Sequence, residues 1–130
     1  MKTRLDPRHI KREEIVQGLF SWSFRTDKTP KGESLKDVVA NKEKIDSFIA
    51  KAAPEWPINQ INRIDLAILR LAVYELFIVS KEPPKVIIDE AVELAKTYGS
   101  EKSPAFINGV LGTILKQDEG LTQRDDTRKP

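Results

Sequence analysis

The stretch Arg63-Ile64-Asp65-Leu66-Ala67-Ile68-Leu69-Arg70-Leu71-Ala72-Val73-Tyr74-Glu75-Leu76-Phe77-Ile78-Val79-Ser80 decides the fold. Its apolar residues fall on nearly every side of a 3.6-residue turn, not on a single stripe. A helix of that kind belongs at the centre of a bundle, with neighbours all round. Asp65, Arg70 and Glu75 interrupt it, and it is too short and too charged to cross a bilayer. The pair Pro83–Pro84 forbids continuation.

Toward the N-terminus, Pro54 and Pro57 bracket a short linker around Trp56. Before it, Leu35, Val38, Val39, Ile45, Phe48, Ile49 and Ala52 form one apolar stripe. They predict a helix from about Leu35 to Ala53, capped by Ser34, whose polar middle (residues 40–44) is a place to kink. Pro30 and Gly32 mark a loop over residues 26–33. The first helix runs from Pro7 to about Phe24, with Asp6 as N-cap and proline in the first helical position. Ile15, Leu19 and Trp22, with Val16 and Phe20 beside them, give its buried face.

Toward the C-terminus, Ile87, Ala91, Leu94, Ala95 and Tyr98 define a helix over about 85–98, with Gly99 in the C′ position. Asp89, Glu90, Glu93 and Lys96 form its solvated face. A last helix runs from Pro104 to about Gln117, capped by Ser103, with Gly120 beyond its end. Phe106, Ile107, Val110, Leu111, Ile114 and Leu115 lie along or beside its inner stripe, Asn108 is placed to bond backbone, and Gly109 and Gly112 leave room for a close approach. Residues 121–130 are polar and read as a disordered tail. No strand alternation and no fixed repeat occurs. The expectation is an all-α, compact helical bundle of about five to six helices in one domain over residues 1–120.

Composition removes several classes of function. There is no cysteine, so no disulfide, thiolate site or cysteine nucleophile exists. The single histidine, His9, lies far in sequence from the carboxylates Asp89, Glu90 and Glu93, and the Glu-x-x-His pattern of a helical di-metal site is missing. No glycine-rich phosphate loop or nucleophile elbow appears. The reading is a protein with no catalytic residues, no metal and no cofactor. Charges interrupt the N-terminus where a signal peptide would be apolar, which points to the cytoplasm and away from a membrane.

Net charge is only +2, but it is unevenly spread: Lys2, Arg4, Arg8, Lys11 and Arg12 face a single acid, Asp6, in the first twelve residues. Cations at a helix N-terminus oppose the helix dipole by about 0.3–1 kcal/mol. An anionic ligand gives a reason for Arg8, His9, Lys11 and Arg12 to stand there, and a solubilising terminus is the other reading. The loop from Gly99 to Ser103 brings Tyr98 toward Phe106, as a platform for stacking bases at about 1–3 kcal/mol each or as a cap on the core. Lys102 is a phosphate contact or an ordinary exposed lysine. Asp65, Arg70 and Glu75 are paired within the chain, exposed, or at an interface, because an isolated buried charge is expensive.

Three blocks in order carry a family resemblance: Arg63-Ile64-Asp65 with Ile68-Leu69-Arg70-Leu71-Ala72-Val73-Tyr74-Glu75-Leu76; Pro84-Lys85-Val86-Ile87-Ile88-Asp89-Glu90-Ala91-Val92-Glu93-Leu94-Ala95-Lys96 with Tyr98-Gly99; and Phe106-Ile107-Asn108-Gly109-Val110-Leu111. With Arg12-Glu13 and Val16-Gln17-Gly18-Leu19-Phe20-Ser21-Trp22, they resemble the NusB family of transcription antitermination factors over roughly residues 8–24 and 63–115. The resemblance implies binding of boxA-like single-stranded RNA from ribosomal RNA operon leaders, through Arg8, His9, Lys11, Arg12, Tyr98, Lys102 and Phe106. It implies recruitment of NusE, a small-subunit ribosomal protein, through the central helix with Phe20, Asp65, Arg70 and Glu75. Both would join an antitermination complex on RNA polymerase, and a homodimer stays open. If four phosphates are neutralised, the salt slope is roughly −3. Three departures stand out: a shortened middle over residues 26–56, a family arginine run diluted by His9 and Ile10, and Lys102 where some relatives carry an acid. A helical protein-interaction module without specific RNA binding is the competing reading.

Overall fold

The computed structural model describes residues 6–118; Lys2, Arg4, Gly120 and the tail read as disordered lie outside the described residues. Six α-helices occur among them: α1 Pro7–Trp22, α2 Glu33–Ala40, α3 Lys42–Ala52, α4 Arg63–Tyr74, α5 Pro84–Tyr98 and α6 Ser103–Gln117. A 3₁₀ turn, Ile58–Gln60, precedes α4, and a π-turn, Glu75–Val79, follows it. No strand is present among the described residues. None of these helices is long and apolar enough to cross a membrane.

The central helix is buried as its sequence requires. Every residue of α4 from Asp65 to Tyr74 is buried, and α4 packs against α1, α3, α5 and α6. Val16 and Leu19 of α1, Ile45 and Ile49 of α3, Leu94 of α5 and Ile107, Leu111 and Ile114 of α6 close around it. Its start is fixed by Asn62, whose side-chain oxygen accepts from the amides of Ile64 (2.9 Å) and Asp65 (3.4 Å).

The structure departs from the sequence reading at several helix ends. The helix expected over Leu35–Ala53 is two helices, broken at Asn41. Asn41 leaves helical geometry (φ −102°, ψ 11°), and its side-chain amide donates to the Asp37 carbonyl at 2.7 Å, in competition with the backbone ladder. The break lets Val38 and Ile45 both reach the core. Helix α2 starts at Glu33 from Gly32, so Ser34 lies in the first turn and is not the cap. Gly32 has φ +90°, which only glycine adopts easily. Likewise α6 starts at Ser103 itself, and that hydroxyl accepts from the Ser100 amide at 2.9 Å inside the preceding loop. Gly99 does not take the left-handed form (φ −91°); a Cβ there would lie 2.5 Å from Ser103 Cβ, so close packing is what demands glycine. Asn108 is exposed, and Gly109 and Gly112 face open space, so no backbone approaches them.

The central helix ends earlier than read. After Tyr74 the chain widens into the π-turn, closed by the Ser80 amide donating to the Glu75 carbonyl at 2.9 Å, with Ser80 left-handed at φ 52°. Phe77 in this turn stacks on Phe48 of α3 at 3.9 Å. Because α4 is the common wall of the bundle, Ile68→Ala, at a fully buried site, is expected to cost about 2–5 kcal/mol. Urea denaturation measures this as a lower midpoint at unchanged slope.

Candidate nucleic-acid interface

The first turn of α1 sorts its cations by direction. Asp6 caps the helix by accepting from the Arg8 amide at 2.9 Å, and that hydrogen bond, more than the nearby Arg8 guanidinium, holds its carboxyl below the ordinary value. Arg8 points to solvent, 71% exposed, with a loose 3.5 Å approach to Asp6. Lys11 is exposed as well. Arg12 is turned inward and buried. Its Nε and Nη2 donate to the two Glu75 oxygens at 2.9 and 2.7 Å, Nη2 also reaches Glu82 at 2.6 Å, and Nη1 lies 3.3 Å from Glu90. Burial pulls this guanidinium toward the neutral form, but Glu75 and Glu82 more than offset it and hold its pKa above the ordinary value. Arg12 thus turns its charge to three carboxylates inside the chain and not to solvent.

The cluster continues to Tyr98. His9 stands between Glu90 (3.3 Å) and Glu13 (3.6 Å), only 15% exposed. The Tyr98 hydroxyl donates to Glu13 at 2.9 Å and accepts from the Gln17 amide at 3.1 Å. Burial first, then the Glu13 bond, raises the Tyr98 pKa. The N-terminal half of α1 and the C-terminal end of α5 are thus joined by one polar chain.

A second constellation gathers where α4 and α6 begin. Asp65, Lys102, Ser103, Phe106 and Trp56 line a mostly apolar pocket of about 330 Å³. Phe106 meets Trp56 edge to face at 6.2 Å, so the two rings of the expected Tyr98–Phe106 platform turn to different neighbours. Asp65 is 7% exposed, and its Oδ1 accepts from no group among the described residues. Burial raises its pKa, and a bond from Ser103 works the other way. Asp65, read as a partner contact, therefore shares a pocket with Lys102 and Phe106, read as RNA contacts. Trp56, read only as a linker residue, is half exposed at this pocket, and its place between two prolines was the available signal.

The remaining expected partner contacts are satisfied inside the chain. Arg70 makes a two-pronged pair with Asp46, 2.9 Å on each prong, and Glu75 holds Arg12. Beside them Tyr74 donates to Asp37 at 2.7 Å; burial and then that carboxylate push its pKa up to about 12. Phe20 is half-buried, edge to face with Phe24 at 5.0 Å, and Arg63 lies over the Phe24 ring at 4.3 Å. Of the paired carboxylates, Asp37, Asp46 and Glu82 gave no signal in sequence, and Glu90 read as a solvated face. Their partners on other helices lie 24 to 81 positions away. No cluster of three or more metal-ligating side chains occurs among the described residues.

This geometry defines an all-α domain that turns its buried guanidinium groups to carboxylates and shows cations at the start of α1 and in the α5–α6 loop. The NusB family model matches residues 32–116. A relative from Clostridium novyi, named transcription antitermination protein NusB, is 37% identical over 114 residues, covering 82% of this chain and 86% of its own. One of the same name from Herpetosiphon aurantiacus is 46% identical over 82 residues, 61% of this chain and 56% of its own, so the chain spans little more than half of that relative. The crystal structure of T. maritima NusB superposes with a TM-score of 0.77 at 32% identity, covering 95% of this chain and 99% of that one. A chain from a crystal structure of antitermination factors NusB and NusE in complex with dsRNA superposes at 0.68 with 27% identity, covering 87% of this chain and all of that one. The chain belongs to the NusB family.

Two predictions follow from the buried charges. Arg12→Ala leaves Glu75, Glu82 and Glu90 facing one another and is expected to cost about 3–5 kcal/mol near neutral pH. Urea denaturation of the variant beside the parent tests it. Asp65 has a raised folded pKa, so its contribution is favourable below its ordinary pKa of about 3.9 and is lost as pH rises through the folded value. Asp65→Asn should gain stability relative to the parent on going from acid to neutral pH.

Proposed function

We propose that this protein is a transcription antitermination factor that binds boxA-like single-stranded RNA of ribosomal RNA operon leaders together with NusE, as part of an antitermination complex on RNA polymerase. One observation carries this reading: α1 presents Arg8 and Lys11 outward while Arg12 alone is drawn inward to bridge the acids behind them. The same chemistry lies across the α5–α6 loop, where Lys102 stands beside the Phe106 and Trp56 rings. Cations hold phosphates and aromatic faces hold unstacked bases, with no chemistry performed. Family membership supports it, as does a solved relative described with NusE and RNA. The protein acts as an assembly factor, not an enzyme.

With Arg12 bound to carboxylates, three exposed cations, Arg8, Lys11 and Lys102, remain to neutralise phosphates. The log–log salt slope for a boxA-like RNA is then about −2, shallower than the −3 of a four-phosphate count. Fluorescence anisotropy across a salt series measures it, and Arg8→Gln with Lys11→Gln should flatten it by about 1.4. Glu75→Gln separates positioning from bare charge: it removes a negative group near the RNA, yet it should weaken binding, because Arg12 loses the anchor that fixes α1. An RNA affinity equal for boxA-like and scrambled sequences, even with NusE present, sinks this mechanism. Retained NusE binding would then leave a helical protein-interaction module.

A further inference from the structure

Beyond the arm, the loop that follows α1 carries a second set of cations. Arg8, Lys11, Ile15, Gly18 and Trp22 recur at spacings of three and four, so they share one stripe of the helix. That stripe borders two grooves against α2. One, of about 300 Å³, is lined by Arg8, Lys11, Ile15 and Lys81, with Glu75 and Glu82 at its inner wall beside Arg12. The other, of about 570 Å³, is lined by Gly18, Trp22 and Leu35 with Arg25, Lys28 and Lys31. The loop bearing these last three is set by successive turns: the Arg25 amide donates to the Trp22 carbonyl at 2.8 Å and the Lys28 amide to the Arg25 carbonyl at 3.0 Å.

What sets this cluster apart is its place around an apolar groove beside Trp22. Arg12, Arg70, Lys42 and Lys96 each have a carboxylate within 3.3 Å. Arg25, Lys28 and Lys31 have none among the described residues, although Asp27 sits in the same loop. All three are exposed. Trp22 brings an aromatic body to the groove, and its indole N–H is buried without an acceptor among the described residues. Unpaired cations around an apolar, aromatic-floored groove are the arrangement that holds a nucleic-acid single strand without reading its bases. From Arg8 to Trp22 the helix rises about 21 Å, roughly six nucleotides at a stacked spacing of about 3.4 Å.

We propose that Arg25, Lys28 and Lys31, with the Trp22 groove, form a second, sequence-independent site for the sugar–phosphate backbone of the strand that the α1 arm binds. The site rests on the RNA-binding reading above and extends it: the arm and the α5–α6 loop hold the recognised segment, and this groove holds flanking RNA.

The test uses the full chain and three labelled RNAs: a boxA-like oligonucleotide, and the same RNA extended by oligouridine on its 5′ or its 3′ side. At least one extension should tighten binding and steepen the salt slope by about 2, three phosphates at about 0.7 each. That is a further loss of roughly twentyfold for a fourfold rise in salt. The triple variant R25Q/K28Q/K31Q should abolish the gain and leave the unextended RNA unchanged, with helicity confirmed by circular dichroism. A control, K44Q/K51Q/K116Q, removes equal charge from exposed positions on α3 and α6 and should keep the gain. The proposal is overturned if neither extension steepens the slope, if the control loses as much as the variant, or if the variant weakens the unextended RNA equally. It is also overturned if the variant loses an acidic protein partner while binding both RNA lengths normally. Failure of the parent protein to bind the unextended RNA would instead overturn the RNA-binding reading, and this site with it.

Discussion

A helix apolar on all sides cannot stand at a surface, and most of this molecule follows from that constraint. Every residue of α4 from Asp65 to Tyr74 is buried, and all five other helices contribute to covering it. At about 25 cal/mol per Å² of apolar surface removed from water, this burial is the main driving force for assembling the bundle. It also sets the chief electrostatic problem, because Asp65 and Arg70 are carried inside with the apolar residues and Glu75 to their edge.

The chain solves that problem differently at each position. Arg70 meets Asp46 in a two-pronged pair, and Glu75 meets Arg12. Such pairs contribute little net stability over a well-packed apolar alternative, but losing one partner is costly because the other charge is stranded. Their consequence here is directional. Drawing Arg12 inward fixes how α1 lies on the π-turn after α4, which leaves Arg8 and Lys11 on the outside. Asp65 remains without an opposite charge and is held nearer its neutral form by burial. It stands in the pocket of Trp56, Lys102 and Phe106, so the acidic and aromatic features converge on one surface.

The fold class and five helical regions were legible because they depend on local pattern: apolar residues at helical spacing, prolines at 54, 57, 83 and 84, and the Asp6 cap. Helix ends were less legible. Whether Ser34 or Gly32 caps α2, and whether Asn41 continues the helix or breaks it, turns on a few hydrogen bonds of similar strength. The site was legible only in part. Arg8, Lys11 and Lys102 are exposed as their positions suggested, but Phe106 turns to Trp56 instead of Tyr98, and Arg12 looked like its basic neighbours and differs from them in direction alone.

By itself the sequence determined an all-helical bundle around residues 63–80, the exclusion of cysteine chemistry, and the concentration of cations in the first twelve residues, since composition and 3.6-residue periodicity are properties of the chain. The tertiary structure alone decided which charges stay available. Arg12 and Glu75 are 63 positions apart, and His9 and Glu90 81 apart. No periodicity links residues so distant, and they meet only because helices pack to bury α4. The same packing aligns the two grooves along α1 and leaves Arg25, Lys28 and Lys31 without acidic partners among the described residues.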